Sequence, residues 1–200
     1  MKLEFDHKKA TQAINFFAQK EGGQIDKLKV IKLIWLADRY HLRKYGRPIV
    51  NDSYYAMKLG PVGSAVKDLS GFNVCDAVEE KYLKEYLNSD KTNRINSIKK
   101  IDDEVFSDTD LEALENIYKE YGEYQASQLV NISHEFPEWK KFEKILDSKS
   151  NTREAMSYSD FFGNPTGDIK VKNIFTETEE ELENPKQVFV ENYKLASFWL

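Results

Sequence analysis

Apolar positions recur along most of this chain at helical spacing, and one stretch departs from that rhythm by being apolar nearly all round. From Val30 to Ala37 only Lys32 is not apolar, and a helix with so little polar face must be covered on most sides. Asp26 stands where an N-cap would, with Ile25 and Val30 at the two positions of a hydrophobic staple. Tyr45-Gly46-Arg47-Pro48 supplies a left-handed C-cap glycine and then a proline that stops continuation. The pattern predicts a central buried helix at about 27–45.

The flanking segments read as its cover. Ala10, Ala13, Ile14, Phe17 and Ala18 make one helical face after the cap candidate Asp6, and Gly22-Gly23 ends it. After the central helix, Ile49-Val50 and Tyr54-Tyr55-Ala56 flank the turn formers Asn51-Asp52-Ser53 and predict a short hairpin, with Asp52 closing the turn. Gly60-Pro61 is read as opening a helix that Ser70-Gly71 closes, and another follows from Asp76 to Leu87. Ile95, Ile98 and Ile101 fit a strand or one helical turn, and the strand, paired with the hairpin, is preferred. Ser107 with Asp110 forms a capping box ahead of the helical face Leu111, Leu114, Ile117, Tyr118 and Tyr121. A helix from about Tyr124 to Ser133 comes next, then one opening at Pro137 with Trp139, Phe142 and Ile145 inward. The fold class predicted is mainly α with a small β-hairpin or sheet (α+β).

Residues 1–163 form the helical domain in this reading. Residues 164–184 read as an acidic linker or extended segment, with an extended run from Ile169 to Phe175 and then Glu177, Glu179, Glu180, Glu181 and Glu183. Residues 185–200 read as an amphipathic helix carrying Val188, Phe189, Tyr193, Phe198 and Trp199. Such an aromatic end must dock on its own core or meet a partner, since bare it would aggregate. Both readings stand at this level.

Composition narrows the function classes. Two hundred residues with 40% hydrophobic content suffice for one sizeable core. The single cysteine, Cys75, allows no internal disulfide and fits a reducing compartment. No apolar run approaches a membrane span, and the start lacks the apolar centre of a signal peptide, so a cytoplasmic location without membrane partners is expected. A net charge of -5 argues against a general nucleic-acid binder. Charge is uneven, however: from Lys20 to Arg47 eight Lys or Arg stand against Glu21, Asp26 and Asp38. Lys29, Lys32, Arg39 and Arg43 share one face of the central helix, a basic stripe that is either a solvated face or a dock for an acidic partner.

Candidate chemistry is sparse. Asp38 lies inside the apolar stripe of Ile31, Ile34, Leu42 and Tyr45, with His41 one turn away. An enzyme could use the two as acid and base, but a buried carboxylate also demands a partner for purely structural reasons, either that imidazole or a backbone amide of the following loop. His7, His41 and His134 show no ligand spacing, so no metal is expected. His134 falls at a helix junction, where capping of carbonyls is the simpler role. No phosphate-cradling glycine loop, zinc pattern or nucleophile elbow appears, and no cofactor or catalytic residue is assigned.

The run KLIWLADRYHLRKYGRPIVNDSYYAMKLGPV resembles the signature segment of the Panacea domain, the family of SocA-like antitoxins and related phage-associated proteins. FSDTDLEALENIYKEYG and LVNISHEFPEW resemble the helices that follow in that family. The resemblance spans about Lys8 to Phe162, with Gly63 departing from the proline common in relatives. It implies that Asp38, His41, Asp52, Tyr55, His134 and Trp139 are structural motif residues. It also implies an antitoxin, not an enzyme, that binds and neutralises a cognate toxin protein by direct occlusion or as an adaptor to an ATP-dependent protease. For that partner the chain offers the basic stripe and the last helix. The alternatives are a phage or host regulatory protein-binding module and the Asp38/His41 enzyme.

Overall fold

The computed structural model describes residues 4–90, 92–148, 153–166 and 174–198, with side chains of the last helix described to residue 194. At its centre lies α2 (Lys27–Tyr45), capped by the Asp26 carboxylate on Lys29 N at 3.0 Å and ended by Gly46 in the left-handed region. Fifteen of its residues, Lys29 to Arg43, are buried all round the helix. The expected central helix is thus realised with its predicted ends. The mainly helical α+β class is realised too.

Around α2 pack α1 (His7–Lys20), α5 (Asp108–Tyr121), α6 (Ala126–Ser133) and α9 (Glu179–Phe198). Asp6 caps α1, and Ser107 with Asp110 completes the capping box of α5. Shorter helices are α3 (Ser64–Ser70), α4 (Ala77–Tyr86), α7 (Pro137–Lys140) and α8 (Glu143–Ser148). Ile145, expected inward, is 40% exposed, because the chain turns between α7 and α8 and Leu146 takes the inward position.

Among the described residues, two three-stranded antiparallel sheets flank the bundle. One orders β1 (Gln24–Asp26), β5 (Arg94–Ser97) and β4 (Leu87–Ser89) as β1-β5-β4, with Ile25 opposite Ile95. The other orders β2 (Tyr54–Met57), β3 (Gly60–Gly63) and β6 (Glu154–Ala155) as β3-β2-β6. The strand around Ile95 therefore forms as preferred but pairs with β1, not with the hairpin. Ile25 and Ile95, both buried, explain that choice: together they close the end of the core beside α1.

The hairpin itself sits further along than the sequence pattern predicted. Ile49 and Val50 cannot offer their amides to a ladder, because both donate to Asp38 Oδ1, at 2.8 and 3.1 Å. Pairing starts at Tyr54 and turns at Lys58-Leu59, and Gly60-Pro61-Val62-Gly63 forms the second strand instead of a helix start. Helix α3 waits until Ser64, where Asp52 accepts from Ala65 N at 3.0 Å and Val66 N at 2.8 Å.

The segment read as an acidic linker contributes to the core. Phe175 and Leu182 are buried, and α9 begins at Glu179, with Pro185 inside it. Most of the run Ile169 to Phe175 lies outside the described residues.

Candidate functional site

The central helix carries nearly every residue singled out for chemistry, and the structure separates them. Asp38 is fully buried and accepts three hydrogen bonds, from Ile49 N, Val50 N and the Tyr54 hydroxyl at 2.9 Å. Burial pushes its carboxyl up to about 7, although all three donors pull the other way. His41 turns elsewhere: its Nδ1 lies 2.7 Å from Arg47 O, and its Nε2 lies 3.0 Å from Thr109 Oγ1 and 3.2 Å from Asp110 Oδ1. Burial depresses the imidazole to about 4. Two sealed residues facing different elements do not make an acid and base pair. Of the partners open to Asp38, the loop amides and not the imidazole satisfy it.

The basic stripe is not a surface. Lys29 is 6% exposed, Arg43 1%, and Lys32 and Arg39 0%. Because α2 is covered all round, each cation has to find acceptors within the protein. Lys29 Nζ donates to Glu21 Oε1 at 2.7 Å and Gly122 O at 2.6 Å. Lys32 Nζ reaches Pro61 O at 2.7 Å, and burial holds its pKa well below the usual lysine value. Arg39 pairs with the buried Glu138 at 2.8 Å and lies over the Phe136 and Phe175 rings. Burial drives the Arg39 pKa down and the Glu138 pKa up, each towards its neutral form, against their mutual attraction.

Arg43 is the most connected of the four. Its Nη1 donates to the carbonyls of Phe161 at 3.2 Å, Phe162 at 2.6 Å and Gly163 at 3.1 Å, while Nη2 donates to Asn164 Oδ1 at 2.5 Å and Glu177 Oε2 at 2.6 Å. A planar guanidinium can serve several acceptors at once in a way an ammonium cannot. Arg39 and Arg43 thus form an internal clamp that fastens the chain after Phe161 to the core, while Lys29 and Lys32 bond the chain at Glu21, Gly122 and Pro61.

The remaining motif residues fix local geometry. Asp52 caps α3, as described, and the Arg153 guanidinium lies over the Tyr55 ring, 4.8 Å from the ring centroid. Trp139 Nε1 donates to Met57 O at 2.8 Å, and the His134 ring stacks on the indole at 3.7 Å with a 6° interplanar angle. His134 occupies the C-cap position of α6, yet its ring is held by the indole instead of capping that helix, and its Nε2 has no hydrogen-bond partner. Burial lowers its pKa.

On α9, Phe189 is buried against Tyr158 and Phe162, and Val188 is half-buried. Tyr193 is 49% and Val190 45% exposed. The side chains of Phe198 and Trp199 lie outside the described residues. Between α9, β2, β6 and the 3₁₀ turn Tyr158–Phe162 opens a cleft of about 680 Å³. Among the described residues no group of three or more His, Cys, Asp or Glu is placed to hold a metal ion, and no helix is long and apolar enough to cross a membrane.

Sequence reasoning passed over Glu138, Glu177 and Phe175, the partners of the two buried arginines. The one signal available was Phe175, an aromatic residue two positions before Glu177 in a segment read as an acidic linker or extended segment. A family model described as antitoxin SocA-like, Panacea domain, matches residues 30–140. That span runs from the core of α2 through the hairpin to Lys140 at the end of α7. No curated protein and no solved structure matches the chain.

Proposed function

The chain belongs to the family of SocA-like antitoxins with a Panacea domain, and on that premise we propose that it binds a cognate toxin protein and neutralises it. The observation that carries this reading is the family match itself, which supports a general antitoxin or regulatory role. Direct occlusion is the mechanism proposed, with the exposed side chains of α9 as the contact. Val190 and Tyr193 are large apolar side chains left exposed there, and an amphipathic helix presented to a groove is a common mode of protein recognition. Phe198 and Trp199 extend the same proposal to the end of the chain. The basic stripe takes no part, since its cations are buried and internally paired.

The Asp38/His41 enzyme reading is dropped, because each residue is sealed by its own hydrogen bonds. Co-expression with the adjacent open reading frame, scored for growth rescue and co-purification together, tests the proposal. Rescue with a stable complex supports direct neutralisation. Rescue without a complex overturns occlusion in favour of delivery to an ATP-dependent protease. A harmless neighbour overturns the antitoxin reading and leaves a regulatory protein-binding module.

A further inference from the structure

The cleft beside α9 has three features that no part of the core requires. One wall is a sheet edge: β6 is the last strand in the order β3-β2-β6 and pairs on one side only among the described residues. The opposite wall is α9, with Val190 and Tyr193 about half exposed beside the buried Phe189. At the rim, the exposed Arg153 lies over the Tyr55 ring and makes no ion pair with any described carboxylate. Lys194 lines the same space.

Little negative charge faces this cleft. Glu154 pairs across from Ala56, whereas the cleft-lining Ala155 pairs across from Tyr55. Successive side chains on a strand take opposite faces, so Glu154 points to the side away from Tyr55. Asp52 does line the cleft, but its oxygens already accept from Ser53, Ala65 and Val66 amides. Among the described residues the cleft therefore combines a strand edge paired on one side only and an aromatic interior with, beside it over Tyr55, a cation that has no carboxylate partner.

We infer that this cleft takes an extended segment of a partner protein, added as a strand to β6, with an aromatic side chain seated against Tyr193 and an acidic one at Arg153. Strand addition supplies main-chain hydrogen bonds, and alternate side chains of the segment enter the cleft, so its aromatic and acidic residues stand two apart. The inference rests on the reading of the chain as a protein-binding module, and it adds the chemistry of what is bound.

The test selects random decapeptides displayed on phage against the immobilised full-length protein. The expected winners carry an aromatic residue with Asp or Glu two positions away. They lose at least tenfold in affinity for Arg153→Glu and for Val190→Asp, both surface changes that leave the melting temperature unaltered. Backbone N-methylation of a winner at alternate residues abolishes binding in one of the two phases. Selection of no peptide, selection of basic peptides, or winners that bind both variants like wild type overturns the inference. The co-expression experiment separates the two readings. Peptide binding with a harmless neighbour keeps the cleft and removes the antitoxin. Neutralisation by wild type and by Arg153→Glu, with no peptide selected, does the reverse.

Discussion

The Tyr54 hydroxyl donates to Asp38 Oδ2 at 2.9 Å and so ties the first strand of the hairpin to the middle of the central helix. The other oxygen of the same carboxylate holds the amides of Ile49 and Val50. One buried side chain thus fixes where the chain goes after Pro48 and where the hairpin begins.

Asp38→Ala leaves two buried amides and a buried hydroxyl without acceptors, and the expected loss is about 4 kcal/mol. Tyr54→Phe removes only one donor and should cost about 1 kcal/mol. Urea unfolding of both variants checks the ranking. Equal losses would mean that the carboxylate does not organise the loop.

Asp38 and His41 should give stability opposite slopes with pH. The Asp38 pKa is raised, to about 7, so between its unfolded value near 4 and 7 the folded state keeps a proton that the unfolded state releases. Its contribution falls as pH rises through that window. His41 is depressed to about 4, so its contribution is fully present above the unfolded value near 6.5 and is lost as pH falls towards 4. Relative to wild type, Asp38→Asn should therefore improve from pH 4 to pH 7, and His41→Gln should worsen. Chemical denaturation across that range measures both, and parallel curves would refute the assignment.

Arg43→Lys should behave as a severe change despite keeping the charge. An ammonium cannot serve the Phe161, Phe162 and Gly163 carbonyls together with Glu177. Loss of about 3 kcal/mol is expected, with new protease cleavage between Phe162 and Leu182. Glu177→Gln, at a partly exposed position, should cost about 1 kcal/mol. Limited proteolysis followed by mass spectrometry distinguishes the two variants.

Gly46 and Gly22 both have positive φ, +70° and +81°, but only one meets another element. A Cβ at Gly46 would lie 2.7 Å from both Pro185 O and Val188 Cβ, whereas one at Gly22 finds nothing within 4 Å. Gly22→Ala should cost about 1 kcal/mol of backbone strain and nothing more. Gly46→Ala should also lift α9 from the end of α2, seen as faster amide exchange along Glu179 to Lys194. Equal protection of α9 in the two variants would show that the contact does not hold it.

Local signals were read well wherever a segment carried its own instructions. Asp6, Asp26 and the Ser107/Asp110 box began their helices as expected, since a cap acts within three residues. Gly46 and Pro48 ended the central helix for the same reason. Elements went wrong where a distant side chain intervened. The hairpin slipped because Asp38 took the Ile49 and Val50 amides, and the helix at Gly60-Pro61 was delayed because Asp52 caps the amides at its actual start.

The same division holds for the candidate site. By itself the sequence determined the all-round burial of the central helix, its two ends, the mainly helical class and the family, because apolar run length, capping chemistry and motif order are properties of contiguous residues. Only the tertiary structure decided that the basic stripe is buried and that its two arginines clamp the chain after Phe161, that Asp38 and His41 face different partners, and that the acidic segment enters the core through Phe175. Several of those outcomes depend on partners more than sixty residues away, such as Thr109 for His41 and Glu177 for Arg43. Helical periodicity tells which residues share a face, but what that face meets is set by how the whole chain closes around it.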